Sequence, residues 1–165
     1  DPVMPNTPAR IGQGMSVWTA TPEVTPPHLE RARQVLQALG KEIFVAQEEE
    51  LDMATALSGT GPAYVFLFME ALVDAGVHLG FSRRVAQELV LQTVKGSVEF
   101  ACQSPAHLAE LRNQVTSPGG TTAEALYQME KGSLRTILSK AVFAAYNRSR
   151  SLSPLSEPPE PPAAG

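Results

Sequence analysis

Residues 114–122, with the sequence QVTSPGGTT, have the composition of a site for a small anion. Pro118, Gly119 and Gly120 do not fit inside a regular helix, so we predict a turn there. Ser117 is a suitable N-cap for the helix that residues 123–130 predict by their spacing. A helix N-terminus presents unpaired backbone N–H groups, and glycines let a ligand approach them closely. The alternative is a solvated turn that caps a helix and binds nothing, which is the commoner outcome for such turns.

A second turn combines hydroxyl groups with glycine, at residues 55–62 with the sequence TALSGTGP. Each turn alone is a weak signal, but together in one helical unit they could line a pocket for a small carboxylate. The sequence holds no dinucleotide fingerprint, because the pairs Gly12/Gly14 and Gly59/Gly61 both lack the third glycine. The histidines and Cys102 do not have the spacing of metal ligands, so we predict no metal site.

Composition excludes several classes of function. The 165 residues carry a net charge of −4 with no run of Lys or Arg, which argues against nucleic acid or an anionic membrane as partner. A single cysteine favours a reducing, cytoplasmic setting. We find no signal peptide and expect no uninterrupted apolar stretch of membrane-spanning length. Because the chain starts at Asp1 in what reads as a strand already under way, we interpret it as a piece of a longer protein.

The pattern of elements changes at residue 48. Residues 1–47 predict two strands (3–4 and 15–20), a helix from Thr25 that Gly40 stops, and a third strand (42–45), as at the closing edge of an α/β sheet. From Glu48 onward nearly everything is predicted to be helical, with a first helix (48–57) ended by residues 58–62 and a second at 63–79. Gly80 is predicted to stop that helix, Ser82 to cap the next, and Ser104 to cap a further helix at 106–115. Residues 151–165, rich in proline, are predicted to be disordered.

The predicted helix 63–79 is apolar on nearly every side. Such a helix is buried on nearly every side, which makes it either a central helix or a subunit interface. Its titratable residues Glu70, Asp74 and His78 are spaced by four and form one stripe. That stripe is either a proton relay or a solvated, ion-paired edge.

Three stretches together resemble one enzyme family: residues 4–8 (MPNTP), 52–64 (DMATALSGTGPAY) and 111–130, centred on TSPGGTT at 116–122. The chain resembles the C-terminal part of pyrroline-5-carboxylate reductase over residues 3–150. The resemblance implies a mainly α fold, in which an all-helical dimerisation domain (48–150) follows the closing strands and helix of an incomplete Rossmann domain (1–47). It also implies an interlocked homodimer, from which the family often builds larger rings of dimers.

The function implied by the resemblance is reduction of 1-pyrroline-5-carboxylate to L-proline with NADPH or NADH, in proline biosynthesis. The implied substrate-carboxylate ligands are Ser117, Gly119, Gly120, Thr121 and Thr122. Thr55 is the implied catalytic residue, near the ring nitrogen. Glu48 is implied to contact substrate, although a glutamate that only begins a helix fits the sequence equally well. Gln114 and Asn6 are implied to lie near the cofactor. Gln114 stands where some relatives have Asn, and shaping its own loop is the simplest role for Asn6.

Two other functions stay open at this point. The chain could be a stand-alone helical interaction module without catalysis, or a related imine or β-hydroxyacid reductase. If the chain is instead the C-terminal part of a reductase, we expect these 165 residues alone to dimerise without turnover, because the glycine-rich phosphate loop is not among them.

Overall fold

The computed structural model describes residues 2–152 and is mainly helical, as the sequence predicts. Strands and helices follow one another in the order β1 (Val3–Met4), a 3-10 helix (Thr7–Ile11), β2 (Gly14–Trp18), α1 (Pro26–Gln37), β3 (Gly40–Phe44), α2 (Glu49–Ala54), a π-helical turn (Thr55–Gly59), α3 (Gly61–His78), α4 (Arg83–Gln103), α5 (Leu108–Gln114), α6 (Thr121–Lys131) and α7 (Leu134–Leu152). Ser151 and Leu152, predicted to be disordered, end α7 instead. The rest of the predicted tail, 153–165, lies outside the described residues.

The chain divides into two compact units. Among the described residues, one unit comprises 2–62 together with 139–152, and the other comprises Ala63–Leu138. The first unit therefore contains both the predicted Rossmann remnant and the start of the predicted helical domain. The domain boundary at 47/48 stays a prediction.

The first unit contains a three-stranded sheet of order β1-β2-β3. β2 pairs antiparallel with β1 and parallel with β3. Trp18 in β2 is 1% exposed, and its indole Nε1 donates to Glu42 Oε2 on β3 at 2.7 Å. Glu42 Oε1 lies 3.3 Å from Nε of Arg33 on α1, so one carboxylate links both strands to the helix.

We predict that Glu42→Ala lowers the free energy of unfolding by about 2–3 kcal/mol, because it leaves a buried indole N–H without its charged acceptor. Trp18 is the only tryptophan, so its fluorescence during urea denaturation measures the change directly. Glu30→Ala is the matched control, because Glu30 is exposed and bonds to Arg33 and Gln34 on its own helix, so its loss should cost less than about 1 kcal/mol. Equal effects of the two variants would contradict the assignment.

The three predicted strands are confirmed, but the predicted role of Gly40 as helix stop is wrong. α1 ends at Gln37, and Gly40 is the first residue of β3. Its φ is +137°, and a Cβ there would overlap the backbone of Gly14 on the neighbouring strand. Glycine is therefore needed for close approach of two strands rather than to end the helix.

The predicted helix break at 58–62 is also wrong. Only Thr60 separates the π-helical turn from α3, so residues 49–78 form a helical run of 30 residues. Pro62 lies in the first turn of α3, a position that proline tolerates. By length and composition alone this run could cross a membrane, contrary to the sequence expectation. One such run is weak evidence, and the core helix of a soluble protein passes the same test.

In the second unit, local sequence signals predict some helix boundaries correctly and others not. Gly80, with φ +112°, follows α3, and Ser82 Oγ accepts the Val85 N–H at the start of α4, both as predicted. The predicted Ser104 cap for the next helix is wrong, because His107 caps α5 by accepting the Ala109 N–H at Nδ1. Asp74 on the acidic stripe pairs with Arg83 at 2.9 Å, which favours an ion-paired edge over a relay.

The apolar surface of α3 is largely exposed in a single chain. Along α3 only Val73 is buried, whereas Val65, Phe68 and Leu72 are 45%, 42% and 38% exposed. The expected all-round burial therefore does not occur within one chain. The prediction that this helix is central and buried is therefore wrong for a single chain. The alternative prediction, a subunit interface, remains.

Candidate functional site

The turn before α6 has the geometry of a ligand cradle. Gly120 N–H donates to the Ser117 carbonyl at 3.0 Å, and Gly119 has a φ of +67°. Proline followed by a glycine of positive φ is the arrangement of a type II β-turn. Gly120 is the N-cap of α6, so no capping side chain covers the first backbone N–H groups of this helix.

Ser117 is not the N-cap that the sequence predicted. The cap is three residues later, and Ser117 instead sits at the first position of the β-turn. Its hydroxyl folds over Gly120, where an added Cβ would overlap Ser117 Oγ. The hydroxyl thus lies beside the helix N-terminus, and the absence of a side chain at Gly120 is what makes room for it. Thr121 and Thr122 form the first turn of α6, with Glu124 as the nearest acid in that turn.

In the second hydroxyl-and-glycine turn, residues Thr55–Gly59 are π-helical, where the sequence predicts the end of a helix at residue 57. Thr55 is half-buried, and its Oγ1 donates to the Leu51 carbonyl at 2.7 Å. The Thr55 carbonyl accepts from both the N–H and the Oγ1 of Thr60, at 2.8 and 2.9 Å. The hydroxyl proton of Thr55 is therefore already donated to Leu51, while the hydroxyl oxygen can still accept a hydrogen bond. Single π-helical turns within α-helices are frequent at functional sites.

Asn6 lies beside that turn, and both the oxygen and the nitrogen of its side-chain amide form hydrogen bonds. Oδ1 accepts the Met15 N–H at 2.9 Å, and Nδ2 donates to the carbonyl and Oγ of Ser58 at 3.3 and 3.4 Å. Ser58 belongs to the π-helical turn, so the loop after β1 is tied to the segment that carries Thr55.

A cavity of about 590 Å³ opens next to Thr55. Its polar lining includes Glu48, which is exposed at the N-terminus of α2. Asp52 and Ser149 lie on the same wall and share a hydrogen bond of 2.6 Å. Glu48, Thr55 and Asn6 therefore belong to one compact unit. Gln114, exposed at the end of α5, belongs with Ser117–Thr122 to the other unit.

Sequence reasoning missed Ser58, Asp52 and Ser149 as participants in this region. Ser58 and Asp52 stand within the stretches that carry the resemblance, but nothing in their spacing shows which polar group each would meet. Ser149 lies 97 residues from its partner, a pairing that local patterns do not reveal. Among residues 2–152, no group of three His, Cys, Asp or Glu side chains is arranged to hold a metal ion.

Comparison with known proteins defines the class. Residues 48–152 match the sequence family described as pyrroline-5-carboxylate reductase dimerisation. The pyrroline-5-carboxylate reductase of Synechocystis is 44% identical over 149 residues, which cover 90% of this chain and 55% of that protein. The Pisum sativum enzyme is 44% identical over 151 residues, covering 92% and 55%. The chain thus spans about half the length of the curated relatives it matches.

Solved structures of pyrroline carboxylate reductases have the same fold as this chain. The Plasmodium falciparum pyrroline carboxylate reductase, solved with NADP bound, superimposes with a TM-score of 0.87 at 41% identity, covering 91% of this chain and 57% of that one. The Coxiella burnetii enzyme gives a TM-score of 0.87 at 40% identity, with 92% and 56% coverage. The fold is that of a reductase helical domain preceded by the end of a sheet. The chain belongs to the pyrroline-5-carboxylate reductase family, and the predicted resemblance is confirmed.

Proposed function

We propose that this chain supplies the substrate-binding and self-associating part of an oxidoreductase that reduces 1-pyrroline-5-carboxylate to L-proline with NADPH or NADH. The observation that carries the proposal is the turn at Ser117–Gly120, which leaves the N-terminus of α6 uncapped by side chains within a chain of this family. A small carboxylate is the kind of ligand that such a helix terminus favours.

The substrate carboxylate accepts hydrogen bonds from the first backbone N–H groups of α6 and from the hydroxyls of Ser117, Thr121 and Thr122. Gly119 gives the turn its left-handed backbone, and Gly120 admits the ligand beside Ser117 Oγ. Holding one end of a small ring in this way fixes the orientation of its reactive C=N bond.

Thr55 acts on the nitrogen of that bond. Because its proton is donated to the Leu51 carbonyl, Thr55 Oγ1 serves as acceptor for a protonated ring N–H. Hydride addition requires the protonated imine, so an oxygen that accepts from it favours the reactive form. Glu48, on the wall of the same cavity, adds negative charge that also favours a cationic substrate nitrogen.

The nicotinamide cofactor supplies the hydride when bound. The residues of this chain do not fit the phosphates of a dinucleotide, since no strand described here leads into a glycine-rich loop and a helix start. Asn6 and Gln114 are proposed to lie at the margin of the cofactor site. The main phosphate contacts are assigned to a complete nicotinamide-binding domain.

Self-association accompanies the catalytic role. The family is described by its dimerisation, and α3 exposes a continuous apolar surface in a single chain. We propose a homodimer, which can assemble further into a ring of dimers, in a cytoplasmic enzyme that needs neither nucleic acid nor membrane as partner.

The role of Thr55 is tested in the enzyme form that includes a complete nicotinamide-binding domain. Thr55→Val keeps the shape and removes the acceptor, so kcat for proline formation should fall roughly ten- to a hundredfold, as for loss of a hydrogen bond to a charged group. Thr55→Ser is the matched control and should retain most of the activity. Unchanged kcat in Thr55→Val, with substrate reduced normally, would remove Thr55 from the site.

A further inference from the structure

The amide of Asn6 meets a carbonyl that a regular helix would leave without its donor. In an α-helix the carbonyl of residue i accepts the N–H of residue i+4, and for Ser58 that residue is Pro62, which has no N–H. Asn6 Nδ2 donates to this carbonyl at 3.3 Å from outside the helical run. The same nitrogen lies 3.4 Å from Ser58 Oγ, so the donor is shared between the two oxygens of one residue.

Two other contacts fix Asn6 and the turn relative to each other. Asn6 Oδ1 accepts the Met15 N–H of β2 at 2.9 Å, which sets the direction of the amide. Met4, two residues before Asn6, places its Sδ 3.4 Å from the point where a Cβ would stand on Gly59. The end of β1 therefore packs on the π-helical turn as well as bonding to it.

We propose that Asn6 is a positioning residue: its side-chain amide replaces the backbone donor missing at Pro62 and thereby holds the π-helical turn that carries Thr55. The turn is closed by the bond from Thr60 N–H to the Thr55 carbonyl at 2.8 Å, so a shift at Ser58 opens that bond and moves the Thr55 hydroxyl. Only the statement that Thr55 faces substrate rests on the proposed function. The role differs from the cofactor contact that the resemblance implies for Asn6.

The test uses amide hydrogen exchange in the 165-residue chain, without ligand. Asn6→Asp preserves Oδ1 for Met15 but sets a carboxylate oxygen against the Ser58 carbonyl. Exchange at Thr60 N–H should become at least about tenfold faster, while exchange at Met15 N–H stays within about twofold. Asn147→Asp, an exposed position on α7, is the matched control and should change neither rate. Unchanged exchange at Thr60 in Asn6→Asp would overturn the proposal.

A rescue variant separates positioning from general damage. Pro62→Ala restores the N–H at the position where a helix would supply it, so adding it to Asn6→Asp should return Thr60 exchange to within about threefold of the parent. If Asn6→Asp does not fold, the same exchange rate at Thr60 is measured in Asn6→Ala with and without Pro62→Ala. Failure of both double variants to protect the Thr60 N–H would overturn the proposal.

Kinetics distinguish this role from a cofactor contact. In the enzyme form with a complete nicotinamide-binding domain, Asn6→Asp should lower kcat with little change in KM for the cofactor. A raised cofactor KM with normal kcat would overturn positioning in favour of direct contact. If Thr60 exchange responds as expected while Thr55→Val is fully active, the positioning of the turn stands and the proposed role of Thr55 fails.

Discussion

Leu72→Glu should convert the proposed homodimer into a monomer. Leu72 lies on the exposed apolar surface of α3 beside Phe68, and its side chain is 38% exposed in a single chain. In a symmetric dimer the substitution buries two carboxylates among apolar side chains. At about 2–3 kcal/mol each, the dissociation constant should rise roughly a thousandfold or more. Light scattering across a concentration series measures the change in mass.

Ile11→Glu is the matched control for that experiment. Ile11 is 78% exposed and lies outside residues 48–152, the part that matches the dimerisation family. It introduces the same charge into an equally apolar position and should leave the dimer intact. A folded wild-type monomer, or loss of the dimer in both variants, would contradict an interface centred on α3.

Gly120→Ala should raise KM for 1-pyrroline-5-carboxylate by roughly ten- to a hundredfold in the complete enzyme form. Gly120 has φ −83° and ψ 170°, a conformation that alanine adopts freely, so the effect does not arise from backbone strain. The added methyl would overlap Ser117 Oγ and displace the hydroxyl from the helix N-terminus. The expected loss corresponds to one hydrogen bond to a charged carboxylate, about 1.5–3 kcal/mol.

Gly96→Ala is the control for adding a methyl group to this chain. Gly96 lies inside α4, and a Cβ there meets no atom within 4 Å. We expect unchanged KM and a gain in stability of about 0.5–1 kcal/mol, because alanine is the better helix former. Normal KM in Gly120→Ala would show that Ser117 and the glycine cradle do not hold the carboxylate.

Positions governed by local chemistry could be predicted from the sequence. The strands at Val3–Met4 and Gly14–Trp18 follow from alternation and β-branched composition, and the Gly80 stop with its Ser82 cap follows from backbone freedom and a short hydroxyl side chain. The mainly α fold, the anion-type turn and the family resemblance all rest on such local signals.

Features that depend on tertiary contacts could not be predicted. Two helix starts show this: α5 is capped by His107 rather than by Ser104, and α6 begins at Gly120, three residues after the predicted cap Ser117. The sequence predicts Gly40 as a helix stop, yet glycine is needed there because the backbone of Gly14, 26 residues earlier on the paired strand, leaves no room for a Cβ. The π-helical turn was hidden because Gly59, Gly61 and Pro62 resemble a break, and the donor that compensates for Pro62 comes from Asn6.

The measurement that tests the central claim most directly is an NMR titration of the isotope-labelled chain with L-proline, the proposed product. Saturable shifts should concentrate at the backbone amides of Gly120, Thr121 and Thr122, and proline methyl ester, which lacks the free carboxylate, should produce none of them. Saturable binding elsewhere, equal shifts with the ester, or no saturable shifts in a folded dimer would contradict a substrate-carboxylate site at α6 and favour an interaction module without catalysis.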